Sequence, residues 1–341
     1  MFTTEEIQEL KKIFSTPQKI AIIPHRNPDG DAIGSCLALF HMLQSKGHTA
    51  KIVAPNDFPK FLKWLPGAKK QVQIAEFNDF AAGQIIGGAD VVFILDFNTP
   101  SRADNLAVYI KSASGIKIMI DHHQEPDDFH YNYSDVEMPA TAQMVYHWFQ
   151  AMDWEDDITT DIATCIYTGL LTDTGNFRYP SVKPSTLEAA AALLRKGAEP
   201  HLIMDQLYDV SSPQRLKLLS VFLQNLTYVE EYRTAVFTLS REELLANEFQ
   251  KGDTEGFVNY GLNINNALLS VFISEDTTQD LIKLSFRSKD DFDVNKLARE
   301  HFSGGGHINA AGGRSEKTLD ETKKQLLELL PLYDSELKNE N

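Results

Sequence analysis

Short, nearly uninterrupted apolar runs alternate with amphipathic stretches through the first half of the chain. KIAIIP (19–24), TAKIVAP (49–55), DVVFILDF (90–97) and IKIMIDHH (116–123) have the length of strands and almost no polar break. Strands of this kind are buried on both faces, as in a parallel sheet whose crossovers are helices. One crossover is legible as DAIGSCLALFHMLQSKG, a helical pattern closed by Gly47. From about Ile158 the pattern turns helical through TTDIATCIYTGLLTDTGNF and PSTLEAAAALLRKGAEPHLIMDQLYD. SPQRLKLLSVFLQNL then predicts a long helix, and RTAVFTLS, ALLSVFIS and LIKLSFRS predict strands that lead to the glycine cluster SGGGHINAAGG. The expected fold is α/β: an N-terminal domain (1–190) with a mostly parallel sheet flanked by helices, a helical linker (191–225), and a smaller C-terminal α/β domain (226–341). The C-terminal end reads as a charged helix with a fraying tail.

The chain has 341 residues, room for two domains at about 100–200 residues each. A formal net charge of −16 disfavours sequence-independent binding to long nucleic acids, which relies on a broad basic face. It leaves open a small polyanion held through bound cations. Cys36 and Cys165 show no CxxC spacing, so a disulfide framework and a zinc ribbon are unsupported and both are expected as buried small hydrophobes. MFTTEEIQELKKIF reads as an acidic amphipathic helix rather than a signal peptide. No apolar run approaches the ~18 residues of a membrane span. The expectation is a cytoplasmic protein without membrane partners, with a homodimer left open.

Candidate chemistry collects where the strands end. His25, Asp96 and the Asp121–His123 run each follow an apolar strand directly, and ligands of parallel sheets gather beyond the carboxyl ends of strands. In HRNPDGDAIGS, Asn-Pro-Asp-Gly is turn chemistry, Asp31 is placed to cap the next helix, and Gly34 is expected to let that helix approach the sheet. Taken singly, Asp96 reads as a strand-end residue and Asp173 as a turn cap. Taken together, His25, Asp29, Asp31, Asp96, Asp121, His122, His123 and Asp173 form a mixed carboxylate and imidazole set that suits Mn²⁺ or a related divalent ion. Two divalent ions ~3.5–4 Å apart need a shared carboxylate and several further ligands, and the clusters supply that number.

HRNPDGDAIGS, VVFILDFN, IDHH and LLTDTGNF resemble, in order, the four motifs of the DHH phosphoesterase superfamily. LSFRS and SGGGHINAAGG resemble its DHHA1 domain, so the resemblance spans roughly residues 18–315. The branch it points to is that of the bacterial bifunctional oligoribonucleases and pAp phosphatases (nanoRNases). The resemblance implies two Mn²⁺ ions, with Mg²⁺ or Co²⁺ as substitutes. His25, Asp29 and Asp96 would hold one, and Asp31, Asp96, His122 and Asp173 the other, Asp96 bridging. It also implies that Asp121 orients the histidine pair and that His123 stays uncommitted, to stabilise developing charge and donate to the leaving oxygen. Arg287, Ser288, Gly305, Gly306 and His307 would recognise the substrate.

From the residues alone, three successive glycines predict a nest-like anion cradle, with a flexible linker as the plain reading. Arg287 offers a guanidinium fork that matches a terminal phosphate. Arg102 and Arg178 are candidates by position only, and Phe177 and Tyr179 by aromaticity, core packing being the reading favoured for Phe177. The function the resemblance implies is manganese-dependent hydrolysis of short oligoribonucleotides, such as pApA or pGpG, to mononucleotides by two-metal activation of a bridging water. Conversion of pAp to AMP accompanies it. A cleft between the halves would measure substrate length. Cyclic di-AMP hydrolysis is an alternative, although such enzymes often carry sensory and membrane segments. An inorganic pyrophosphatase or exopolyphosphatase is another, although the Arg-Lys-Lys run of the former is not found. A non-catalytic nucleotide sensor ranks last, because all the ligand positions are intact.

Overall fold

In the computed structural model, which describes residues 3–208 and 212–338, six strands of the first half form one parallel sheet. They are β1 (Lys19–Pro24), β2 (Thr49–Ala54), β3 (Val72–Ile74), β4 (Val91–Leu95), β5 (Ile116–Asp121) and β6 (Tyr131–Ser134). Their spatial order is β3-β2-β1-β4-β5-β6, and every neighbouring pair is parallel. The four runs predicted as strands are the four central strands. The pattern does not reveal β3 and β6, which are three and four residues long at the sheet edges and bury too few side chains to leave an apolar run.

Helices α1 (Thr4–Ile13), α2 (Gly30–Ser45), α3 (Ala68–Gln71), α4 (Asp79–Gly87) and α5 (Ala107–Ser112) occupy this half. They are followed by α6 (Thr141–Ala151), α7 (Thr160–Asp173), α8 (Pro184–Arg195) and α9 (Pro200–Tyr208). Strand side chains alternate between two cores. Ile20, Ile22, Phe93 and Ile118 pack with residues of α1, α2, α6 and α7. Ala21, Ile23, Val92, Ile94 and Met119 pack with residues of α4 and α5. Burial on both faces is the physical reason the strands read as continuous apolar runs. The chain leaves β1 toward β2 and β3 and then crosses back to β4. The carboxyl ends of β1 and β4 therefore lie side by side where the strand order reverses, the position at which doubly wound sheets hold ligands.

Two local readings change. Asp29, not Asp31, caps α2, its Oδ1 accepting from the N–H groups of Asp31 and Ala32 at 3.0 Å each. Gly34 faces α7 rather than the sheet: a Cβ there would lie 2.5 Å from the Cys165 carbonyl oxygen and 3.2 Å from the Gly169 nitrogen. The two helices thus touch backbone to backbone at that point. Cys36 and Cys165 are buried and unpaired by disulfide, as expected. Among the described residues no helix is long and apolar enough to cross a membrane.

The chain divides into two units, Met1–Val210 and Ser211–Asn341. The stretch expected to link them is shared between them, with α8 and α9 in the first and α10 (Pro213–Gln224) in the second. Stacking of Phe222 on Phe237, with ring centroids 4.1 Å apart, ties α10 to the second unit's sheet. That unit continues with β7 (Thr227–Val229), β8 (Thr234–Leu239), α11 (Arg241–Ala246), β9 (Leu269–Glu275) and β10 (Ile282–Ser288). It ends with α12 (Val294–His301), β11 (Gly305–His307), β12 (Ala310–Ser315), α13 (Leu319–Leu329) and α14 (Asp334–Leu337). Its sheet runs β11-β12-β10-β9-β8-β7, with β8 and β9 parallel and the other pairs antiparallel. The end of the tail expected to fray, 339–341, lies outside the described residues.

The glycine cluster is not the open nest expected. Gly305–His307 pairs with Ala310–Gly312 as a tight antiparallel hairpin closed by Ile308 and Asn309. A Cβ on Gly304 would sit 2.0 Å from the Gly312 carbonyl oxygen, and one on Gly306 (φ +157°) 2.3 Å from that of Ala310. The glycines are there because backbone meets backbone.

The α2–α7 contact yields a direct test. Gly34→Ala should lower the stability of the protein by roughly 1–3 kcal/mol through overpacking, read as a reduced urea midpoint at unchanged m. An unchanged midpoint would show that the helices can separate freely.

Candidate metal centre

Three strand ends and two helix ends bring the candidate ligands together. His25 follows β1, Asp96 follows β4, and Asp121 closes β5 with His122 and His123 next in the chain. Asp29 and Asp31 stand at the start of α2, and Asp173 is the last residue of α7, a helix end rather than a strand end. Six of the eight (His25, Asp31, Asp96, Asp121, His122 and His123) are buried, a costly arrangement for charged groups unless opposite charge lies close. Asp96 has a φ of +65°, a left-handed conformation that a non-glycine residue adopts only under tertiary constraint.

Asp96 is the shared member of the cluster. Its Oδ2 lies 3.4 Å from His25 Nε2, and its Oδ1 lies 3.5 Å from His122 Nε2. On the first side Asp29 Oδ2 is 3.8 Å from His25 Nε2. On the second, His122 Nε2 is 3.2 Å from Asp173 Oδ2 and 4.0 Å from Asp31 Oδ2. The ligand atoms of His25, Asp29 and Asp96 all lie within 4.8 Å of one another, and so do those of Asp31, Asp96 and His122. The histidines present Nε2 because their other ring nitrogen is engaged by backbone: His25 Nδ1 donates to the Arg26 carbonyl at 2.7 Å, and His122 Nδ1 to that of Met138 at 3.0 Å. Such bonds set tautomer and ring orientation. His123 differs, its Nδ1 donating to Asp121 Oδ1 at 2.6 Å.

The electrostatics follow from this packing. Burial opposes charge on His25, yet Asp29 and Asp96 push its pKa up to about 10. Burial likewise opposes charge on His122, and Asp173 and Asp96 raise it well above the ordinary imidazole range. Burial would lift Asp96, but His122 and His25 hold it well below the usual carboxylate range. Asp31 moves up, through burial and then the carboxylates of Asp96 and Asp173. Burial also raises Asp173, with His122 offsetting it in part. The carboxylates thus draw positive charge into the crevice, which is what a cation site requires. Carboxylate and imidazole donors with Asp96 turning one oxygen to each group fit divalent ions such as Mn²⁺.

The structure adds residues that sequence reasoning missed. Asn56, at the end of β2, accepts from Asn27 N–H through Oδ1 at 2.7 Å and donates through Nδ2 to Asn27 Oδ1 at 3.0 Å, bracing the turn between His25 and Asp29. Its place just beyond a strand end was the available signal. Arg26 pairs with Asp104 at 3.1 Å, and Thr141 bonds to Asp96.

The predicted substrate residues are distributed over both units. In the first, the Arg102 carbonyl accepts from Arg26 N–H at 2.7 Å, which fixes that turn beside His25. Arg178 is exposed, past three left-handed residues, Gly175, Asn176 and Phe177. Phe177 packs against the first core, 6.0 Å from the Tyr167 ring, whereas Tyr179 is 41% exposed. In the second unit Arg287 is half-buried on β10 and donates through one guanidinium nitrogen to the Phe286 carbonyl at 2.9 Å. The Ser288 hydroxyl donates to the Phe292 carbonyl at 2.6 Å, and Gly306 N–H donates to Asn295 Oδ1 at 3.0 Å. His307 is half-buried in the hairpin beside Gly305 and Gly306.

Comparison with known proteins adds independent findings. Residues 19–170 match the family described as DHH family, N-terminal domain, and residues 235–338 match the DHHA1 domain. The bifunctional oligoribonuclease and PAP phosphatase NrnA of Thermus thermophilus is 32% identical over 326 residues, covering 94% of this chain and 91% of that protein. The cyclic-di-AMP phosphodiesterase PdeA of Listeria monocytogenes is 23% identical over 350 residues, covering 96% of this chain but 49% of that one. A solved structure of an exopolyphosphatase-related protein from Bacteroides fragilis matches with a TM-score of 0.95 at 39% identity, covering 99% of this chain and 98% of that one.

The charge pattern predicts a pH response in chelator-treated protein. A His25 pKa of about 10, above the ordinary 6.5, contributes stability that is complete below pH 6.5 and is lost as pH rises toward 10. Urea midpoints should fall across that window, and His25→Gln should flatten the fall. A His25 ring signal titrating near 6.5 would contradict the assignment.

Proposed function

The chain belongs to the DHH family, with a DHHA1 domain after its DHH domain, and from that premise we propose that it hydrolyses short oligoribonucleotides to mononucleotides and removes a phosphate from pAp. It is a metal-dependent phosphoesterase. The observation that carries the reading is Asp96 turning one carboxylate oxygen toward His25 and the other toward His122 where the strand order reverses. His25, Asp29 and Asp96 would hold one divalent ion, and Asp31, Asp96, His122 and Asp173 a second. When bound, the ions lower the pKa of a water and neutralise charge on the phosphoryl oxygens.

The chain's own residues do the remaining work. Asp121 Oδ1 accepts the Nδ1–H hydrogen bond of His123, which orients the ring and stabilises its imidazolium form, protonated on both nitrogens. His123 then donates from Nε2 to the leaving oxygen. Arg102 and Arg178 are assigned to phosphate in the first unit, and Arg287 and His307 to substrate recognition in the second. Ser288 and Gly306 already donate to protein acceptors, so their part is to shape the β10–β11 region rather than to grip an anion. The net charge of −16 supports short substrates over long polymers. Cyclic di-AMP hydrolysis is the second reading, favoured by the partial match to the Listeria phosphodiesterase.

The test offers pApA, pGpG, pAp, cyclic di-AMP, pyrophosphate and a long single-stranded RNA side by side with Mn²⁺, with products separated by chromatography. The linear dinucleotides and pAp should be consumed fastest. Pyrophosphate as the best substrate would overturn the nucleotide assignment, and equal use of the long RNA would overturn the length preference. Asp96→Asn should abolish turnover with the fold intact, and His123→Ala should lower kcat by roughly 10²–10⁴-fold. Retained activity in Asp96→Asn would defeat the two-ion reading.

A further inference from the structure

Two carboxylates of the centre are held by the first turn of α6. Thr141 N–H donates to Asp31 Oδ2 at 2.6 Å, and Ala142 N–H donates to Asp31 Oδ1 at 2.8 Å. The Thr141 hydroxyl donates to Asp96 Oδ1 at 2.9 Å. Thr141 is fully buried. Ala140, the residue that opens α6, has no side chain with which to cap it. A carboxylate from residue 31 therefore satisfies helix N–H groups that are otherwise without an acceptor.

The Thr141 hydroxyl controls the one freedom Asp96 retains. The left-handed backbone at Asp96 sets the direction of its Cα–Cβ bond. The terminal torsion of an aspartate is broad, so the plane of the carboxylate is not fixed by the backbone alone. A buried donor on one oxygen removes that freedom and holds the plane in which one oxygen faces His122 and the other faces His25.

We propose that Thr141 is a positioning residue of the metal centre, whose hydroxyl locks the rotation of the Asp96 carboxylate so that one oxygen is presented to each ion. The proposal rests on the reading of Asp96 as the shared ligand. A threonine that merely starts a helix would affect folding and leave metal affinity alone. A threonine that orients a ligand affects the affinity itself, as outer hydrogen bonds to ligands do.

The test measures Mn²⁺ binding without substrate, by calorimetry and by electron paramagnetic resonance of free Mn²⁺, in chelator-treated full-length protein. Thr141→Val keeps the shape and removes the hydroxyl. Thr141→Ala removes it with less bulk, in case valine does not seat, and Thr141→Ser keeps the donor. Circular dichroism sets the folded fraction of each. Thr141→Val or Thr141→Ala should weaken Mn²⁺ binding by about 10–100-fold, and Thr141→Ser should recover most of the loss. Wild-type affinity in a folded hydroxyl-less variant would overturn the role of Thr141, as would Thr141→Ser binding as weakly as Thr141→Ala. A wild-type protein that binds no Mn²⁺ would overturn the metal reading and this inference together. Tight binding without hydrolysis of any nucleotide would overturn only the substrate assignment and leave the role of Thr141 supported.

Discussion

A carboxylate buried where a parallel sheet reverses its strand order has to be compensated by whatever surrounds it. Asp96 is 2% exposed, follows a fully buried strand and sits in a left-handed backbone conformation. A charge in such a place is tolerated only if positive groups and donors surround it. They come from the neighbouring elements: His25 from beyond β1, His122 and His123 from beyond β5, and the Thr141 hydroxyl from α6. Parallel strands end at the same level, so residues just past β1, β4 and β5 meet without any long excursion of the chain.

The helices answer a different demand. Asp31 and Asp173 lie on α2 and α7, and both must reach the crevice from the side. Gly34 lets those helices meet at backbone distance, and Gly169, where a Cβ would lie 2.7 Å from Asp31 Oδ1, leaves room for the carboxylate itself. Packing and the placement of charge are coupled here, since a larger residue at either glycine would move a buried carboxylate as well as open a core. In the second unit glycine again serves close approach, now between the strands of the β11–β12 hairpin.

The legible part of the fold rests on strong local signals. Near-continuous apolar runs have few ways to be buried, so β1, β2, β4 and β5 could be read from the chain, whereas the short edge strands β3 and β6 could not. Turn chemistry identified the bend between His25 and Asp31 but assigned the helix cap to the wrong aspartate. Both residue types can cap, but Asp31 lies inside α2 and its two oxygens accept from the Thr141 and Ala142 N–H groups, which leaves the cap to Asp29. The glycine-rich segment announced close backbone approach without saying to what. The answer was a neighbouring strand rather than an open anion nest.

Residue type and hydrophobic period are local properties, so the four central strands, the residues at their ends and the kind of chemistry those residues support are legible in the chain. Packing across the fold is what sets the Asp96 carboxylate between His25 and His122, lets backbone carbonyls turn Nε2 of both histidines into the crevice, and brings α6 against Asp31 and Asp96. Thr141 and Asp31 are separated by 110 positions. A hydrogen bond across that distance leaves no periodicity or motif in the chain, and it exists only because two elements pack.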